Sequence, residues 1–361
     1  MSNRQHRTLR RTLVAAALTT LLGAAGALPA ASSAAAAPAA PAAAAVPAAA
    51  AVPAAQAYRP APAVITGHAP TLVPEAGDWD AAHHRFLLGS LRHGTVSAVG
   101  TDGSVRTLVR DPALTEVAGL RVDPVHRRVL VTDLDNGVGE RSGPATFGRI
   151  AGIGAYDLDT GRRLFYTDLA AVAADGGNHL ANDIAVGPDG TAYVTDSFAP
   201  VVYRVAPDGT ASVLLRDPRL APAPGSYGLN GIVLREGRLV IGKWDDGTLW
   251  QVPLWNPAAV RRVEVAGGAA TLLHLDGLLG RPDGSVAGVT NALLGTGRDA
   301  EVELRSDDHW RTARLAAIRP SADPTPTALI AGPAGRVYQL SAGLADAVAG
   351  HPSDAFTLRR I

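Results

Sequence analysis

One short phrase recurs six times after residue 64: a lead residue opens an apolar or β-branched run, a turn follows, and a second short run of the same kind comes after it. The first runs occupy 75–80, 118–123, 182–187, 230–235, 276–281 and 327–332; the second occupy 86–89, 129–132, 192–195, 239–242, 286–289 and 337–340. Paired runs of this kind read as β-hairpins. The clearest is 182–197, where Pro188, Asp189 and Gly190 make the turn and the return run ends on Asp196 and Ser197. A hairpin returns to the edge it started from, so Asn182 must lie beside Asp196 and Ser197. One edge of the sheet is therefore polar.

The units follow one another at steps of about 50 residues, the size of a propeller blade. A blade is a four-stranded antiparallel sheet, and radial packing of blades protects edges that an open sheet would expose. The expected fold is all-β, a six-bladed β-propeller over 64–361, with the segment 63–73 joining the last blade to close the circle. If the units are blades, their lead residues form one ring: Glu75, Ala118, Asn182, Asn230, Asp276 and Thr327. Four of these six carry a carboxylate or amide oxygen, although Asn is scarce in the chain. Oxygen ligands without thiolate or imidazole suit a hard cation such as calcium better than zinc or copper. Glu75, Asn182, Asn230 and Asp276 are thus candidate metal ligands, and two carboxylates balance one divalent charge.

The amino-terminal region is of another kind. Residues 1–31 combine Arg4, Arg7, Arg10 and Arg11 with an apolar run and small residues, the pattern of an export signal. The adjacent Arg10 and Arg11 leave the twin-arginine route open beside general secretion. Residues 32–63 are almost wholly Ala and Pro and read as an extended or disordered spacer. Once the signal is removed, no stable membrane span is expected, and the protein should be secreted as a monomer. The chain has 33 basic and 33 acidic side chains, so no general attraction to nucleic acid is implied. With no cysteine, disulfide and thiolate chemistry are unavailable.

Glu75 at the first lead, Asn182-Asp-Ile-Ala-Val at the third, Leu-Asn230-Gly-Ile-Val at the fourth and Leu-Asp276-Gly-Leu at the fifth resemble the regucalcin and gluconolactonase superfamily of six-bladed propellers, relatives of the paraoxonases. The resemblance implies a calcium or other divalent ion at the mouth of a central channel and hydrolysis of lactones or related small esters. It assigns Glu75, Asn230 and Asp276 as metal ligands and Asn182 as a ligand of metal or substrate. Ala118 stands where paraoxonases place a catalytic His, and Gly277 where they place an Asn.

Hydrolysis also needs a general base for the attacking water. Asp276 is the first candidate; Asp133 and Asp196, which end second runs on the ring side, are the others, with a turn-stabilising role as their alternative. His179, just before the third lead, is expected either to reach the channel as a substrate-binding residue or to sit on an exposed loop. Lys243, with Trp244 and Asp245, is expected to line a pocket or to pack at the rim. The Gly-rich excursion over 134–154 is expected to be a rim or lid, or else a disordered insert. The function expected is an exported, divalent-metal-dependent lactone or ester hydrolase. The alternative is a non-enzymatic, metal-stabilised ligand-binding propeller of the yellow and royal-jelly type.

Overall fold

The computed structural model describes residues 61–361. The export signal expected at 1–31 and all but the last residues of the spacer expected at 32–63 lie outside the described residues. Among the described residues no helix is long and apolar enough to cross a membrane.

The strands form four-stranded antiparallel meanders. In chain order these are Gly77–Asp80, Arg85–Gly89, Thr95–Val99 and Val105–Arg110; Glu116–Asp123, Arg128–Leu134, Ala151–Asp157 and Arg163–Asp168; Ala181–Val186, Ala192–Asp196, Val201–Val205 and Ala211–Arg216. Then come Leu229–Arg235, Arg238–Lys243, Leu249–Pro253 and Arg261–Ala266; and Leu275–Gly280, Val286–Thr290, Ala300–Arg305 and Thr312–Pro320. The last sheet combines Pro326–Ala331, Val337–Ser341 and Ala355–Arg360 with Val64–His68 from the other end of the described chain. Val64–His68 pairs antiparallel with Ala355–Arg360, which closes the circle with strands from both ends. Each meander's first strand packs against the first strand of the next, and Pro326–Ala331 packs against Gly77–Asp80. The first strands thus make a closed inner ring, and the fold is a β-propeller.

Burial explains why the sequence reads as apolar runs rather than strict alternation. The second strands Arg85–Gly89, Ala192–Asp196 and Val286–Thr290 are buried at every position, because a neighbouring sheet covers each face. The fourth strands, such as Arg261–Ala266, are mostly exposed and carry Arg and Glu. The core accordingly lies between sheets. Phe86, Leu88, Ile330, Tyr338 and Phe356 pack where the first meander meets the last, and Leu130, Ile153, Ile184, Val194 and Tyr203 where the second meets the third.

One pairing is not foreseen by the repeat. The fourth strand Arg261–Ala266 pairs in parallel with the fourth strand Thr312–Pro320 of the next meander, through Glu264 to Thr312 and Ala266 to Arg314, so two sheets merge into one of eight strands. The contact satisfies two outer edges at once, the general hazard of exposed strands.

A bulge sits at the lead position of each first strand from the second meander to the last, where the register shifts between Val117 and Leu120, Ala181 and Ile184, Leu229 and Ile232, Leu275 and Leu278, and Pro326 and Ala328. The extra residue breaks the pleat and re-aims a side chain, as bulges do beside functional sites. Glycine follows the lead in three of these bulges because the next first strand comes too close for a side chain. A Cβ at Gly119, Gly231 or Gly277 would stand 2.2, 2.3 or 2.6 Å from the carbonyl oxygen of Asn182, Asp276 or Thr327. Gly277 is therefore fixed by packing against the neighbouring lead.

Candidate active site on the inner ring

Four of the lead side chains, Glu75, Asn182, Asn230 and Asp276, converge with Ala118 on a narrow cavity of ≈ 50 Å³ at the end of the inner ring. That is room for about four waters. Beneath it lies a void of ≈ 10 Å³ bordered by Glu75, Asn182 and Asn230 from above and by Arg121, Asp183 and Thr327. The three shared residues form the partition between the two spaces. Thr327, the sixth lead, belongs to the inner void.

Burial makes this a site of unbalanced charge. Desolvation pushes the Glu75 carboxyl well above the usual carboxylate range, helped by the charges of Asp276 and Asp183 and only partly opposed by Arg121. Asp276 is pushed up to about 7, first by burial; the Asn291 and Asn230 amides act in the other direction. Asp183 and Asp78 are raised by burial as well, with Arg121 as the opposing charge of each. The Arg121 guanidinium meets Asp183 Oδ2 at 3.1 Å. Three of these carboxyls, Glu75, Asp183 and Asp78, therefore share one guanidinium beside the buried Asp276, an arrangement that a further cation or retained protons would balance.

The hydrogen-bond inventory points the same way. Asn291 Nδ2 donates to Asp276 Oδ2 at 2.6 Å, yet among the described residues neither Asp276 Oδ1 nor the buried Asn230 Oδ1 has a hydrogen-bond partner. Buried oxygens are seldom left this way unless something else is bound there. Two carboxylates and two amide oxygens are a donor set for a hard cation. Among the described residues no group of three or more His, Cys, Asp or Glu is placed to hold a metal, so such an ion would depend on the amide oxygens.

No protein-family model and no curated protein matches the sequence. Solved structures do match in fold. The Malassezia sympodialis allergen Mala s 1 superposes with a TM-score of 0.67 at 16% identity, over 83% of this chain and 96% of its own. A Xanthomonas campestris gluconolactonase gives 0.55 at 16% identity over 82% and 89%. A calcium-binding regucalcin of Agrobacterium tumefaciens gives 0.56 at 15% identity over 80% and 90%. The chain has the gluconolactonase and regucalcin fold.

Within this gluconolactonase-like fold, the remaining residues singled out from the sequence lie away from the cavity, engaged in their own sheets. Asp133 accepts from the amides of Thr115 and Glu116 and from the Tyr166 hydroxyl, at 2.6, 3.3 and 2.7 Å. Asp196 accepts from the amides of Leu180, Phe198 and Ala199 through Oδ1 and from Tyr203 through Oδ2. His179 is neither exposed nor at the channel. It is 2% exposed, with Nδ1 2.7 Å from Asp196 Oδ2 and Nε2 2.8 Å from Asp175 Oδ1. These partners favour the imidazolium, and its pKa is raised, first by the Asp196 hydrogen bond. Lys243 is buried against Asp245 and Asp246, with Nζ 2.5 and 3.1 Å from their carboxylates.

The pleat gives the reason. Leu134, Leu180 and Trp244, each one residue beyond Asp133, His179 and Lys243, line the cavity instead. Successive side chains on an extended segment point opposite ways, so Leu134, Leu180 and Trp244 line the cavity where Asp133, His179 and Lys243 do not; Trp244 is the one of the three that the sequence places at a pocket. Leu91, Tyr227, Leu293, Leu344 and Val348 also line the cavity and carry no signature of their own in the sequence. The excursion after Leu134 is ordered: Glu116 Oε1 accepts from the amides of Val138 and Gly139 at 3.0 and 2.8 Å, and Asp135 Oδ1 accepts from Ser142 Oγ at 2.6 Å. It contributes Asn136 to the cavity.

Proposed function

We propose that the chain is an exported six-bladed β-propeller hydrolase of lactones or related small esters, with Glu75, Asn182, Asn230 and Asp276 holding calcium (Ca2+) or another divalent cation. The observation that carries this reading is the pair of unpartnered buried oxygens, Asn230 Oδ1 and Asp276 Oδ1, beside the desolvated Glu75 carboxyl. The fold shared with a gluconolactonase and a calcium-binding regucalcin supports it.

A bound cation would polarise the substrate carbonyl and stabilise the charge that develops during attack. The chain's own residues supply the rest. Asn291 anchors Asp276 through Oδ2, so Oδ1 would serve both in the cation's donor set and as the acceptor of the attacking water's proton. The water oxygen bonds to the acyl carbon, the acyl–alkoxy bond breaks with its electron pair on the alkoxy oxygen, and that oxygen takes a proton to give the hydroxy acid. Asp133 and Asp196, with their oxygens committed to amide and hydroxyl donors, stabilise turns in this reading.

The test is turnover of a lactone panel before and after verified metal removal by a strong chelator. Loss on removal and recovery on readdition of calcium is expected; undiminished turnover would reject the mechanism. The non-enzymatic alternative, a metal-stabilised binding propeller, is favoured by one feature: Ala118 leaves the second lead without an acid or base. In that case the metal-loaded protein would hold ligand yet turn over no member of the panel. We expect a secreted monomer, and chromatography of culture supernatant checks both points.

A further inference from the structure

Resting on the hydrolase reading above, we infer that the substrates are lactones or esters whose oxygen atoms sit at one end and whose body is apolar, such as alkyl- or aryl-substituted lactones, and not polyhydroxylated sugar lactones. The cavity is built in two chemically different halves. Its floor is the polar ring; its wall is made by Leu134, Leu180, Tyr227, Trp244, Leu293 and Leu344. Away from the ring, the polar groups that the wall offers among the described residues are the Asn136 amide, the Tyr227 hydroxyl and the Trp244 indole N–H, fewer than the hydroxyls of a sugar lactone. A hydroxyl buried against such a wall without a partner weakens binding roughly tenfold. A sugar lactone would present several. An apolar substituent instead gains roughly fourfold for each methylene that leaves water.

The wall is also held rigid. Trp244 stacks on His274 with ring centroids 3.7 Å apart and planes within 4°, and Tyr227 meets Trp244 edge-on at 5.7 Å. His274 is in turn tied to the Asn291 carbonyl at 3.1 Å. An aromatic surface fixed in this way binds without an ordering cost.

The size of the cavity sets where the substituent goes. With room for about four waters, it takes the lactone ring and little more. A longer body must run out over the rim, and the rim is apolar too. Val348 lines the cavity and is 46% exposed, and Leu294 is 59% exposed on a segment that packs against the Leu344–Val348 helix. Leu294 holds φ at 63°, a left-handed conformation that costs a non-glycine residue stability and is retained here with an apolar side chain in solvent.

The test uses the metal-loaded full chain with γ-valerolactone, γ-nonalactone and glucono-δ-lactone as probes. Binding is measured by calorimetry on the Asp276→Asn protein once its metal content has been verified, because Asp276 is in the proposed donor set, and hydrolysis on the unaltered protein. The expected result is that γ-nonalactone exceeds γ-valerolactone at least tenfold in affinity and in kcat/KM, with gluconolactone below both. Val348→Asp, at a partly exposed position, should flatten the chain-length gain while the melting temperature holds. Gluconolactone bound or turned over as well as γ-nonalactone would overturn the inference, as would a chain-length gain untouched by Val348→Asp. If no probe is hydrolysed but γ-nonalactone still binds selectively, the hydrolase reading falls and the apolar ligand class stands. If none of the probes binds, the inference falls.

Discussion

Asp276 carries more of the site than any other side chain, because its two oxygens have different fates. Oδ2 is fixed by Asn291, and Oδ1 has no hydrogen-bond partner among the described residues. Asp276→Asn keeps the size and loses the charge, so kcat on a lactone should fall by roughly 10²–10⁴ while calorimetry still detects ligand. Turnover within a few-fold of the unaltered protein would remove Asp276 from the chemistry. The bulge glycines are the second residue-scale feature. Gly231→Ala and Gly277→Ala would push a Cβ against the carbonyl oxygens of Asp276 and Thr327, neither of which is the end of a flexible side chain. Each should cost about 1–3 kcal/mol in denaturant unfolding. Gly176→Ala, where no atom lies near, is a useful comparison, although its positive φ adds its own strain.

At the scale of elements, threonines bind one sheet to the next. Thr132 Oγ1 accepts from the Gly119 amide and donates to the Asn182 carbonyl, both at 2.7 Å; Thr195 Oγ1 accepts from the Asp183 amide at 3.1 Å and donates to the Asn230 carbonyl at 2.8 Å. Each latch holds the lead of the following sheet in place, which ties stability to the geometry of the ring. Thr132→Val keeps the shape but leaves the buried Gly119 amide unpaired, so a loss of about 1–3 kcal/mol is expected from chemical denaturation. The excursion after Leu134 is held by Glu116, whose carboxyl burial pushes up to about 7, against the pull of the Gly139, Asn136 and Val138 amides. Asp133 beside it is pushed up to about 6, also by burial. An unfolded Glu or Asp titrates near 4, so between pH 4 and 7 the folded chain holds more protons than the unfolded one. The stability from these two groups is therefore complete below about pH 4 and is lost as pH rises toward 7. Glu116→Gln keeps the Oε1 acceptor and replaces Oε2, which has no partner. It should raise the melting temperature at pH 8 and flatten its decline from pH 5; an unchanged slope would show that Glu116 is ionised throughout.

At the scale of the whole molecule, closure joins segments nearly 300 residues apart. Ile65 is buried beside Phe356 and Leu358, and a Cβ at Gly67 would fall on the Phe356 ring. Removal of residues 1–68 would strip the outer edge of the last sheet, and thermal unfolding should lose its single cooperative transition, or the chain should fail to stay in solution. A chain that melts as sharply as the full protein would show that closure by Val64–His68 is dispensable. Metal belongs to this scale as well, since an ion at the ring would join four sheets. A ligand at 100 times its Kd stabilises by about 2.7 kcal/mol, so chelation should lower the melting temperature and calcium should restore it.

The repeat, the hairpins and the polar ring were legible in the residues because each rests on a local rule: paired runs, turn residues, and a lead at a fixed offset from its hairpin. Most of the cavity wall was not. Leu134 and Leu180 stand one position beyond Asp133 and His179, of the wall only Trp244 is placed at a pocket by the sequence, and Asn291 acquires its role only by lying against Asp276 just beyond the end of the paired strand. His179 reads as a loop residue until Asp196 and Asp175 are brought to its two nitrogens. The parallel pairing of Glu264 with Thr312 has no local signal at all. By itself the sequence determined the order of the hairpins and which of their residues share an edge, because strand and turn propensities act over a few residues. Which face each side chain takes, and so the division between a polar floor and an apolar wall, was decided only in the tertiary structure, where bulges and neighbouring sheets set the pleat.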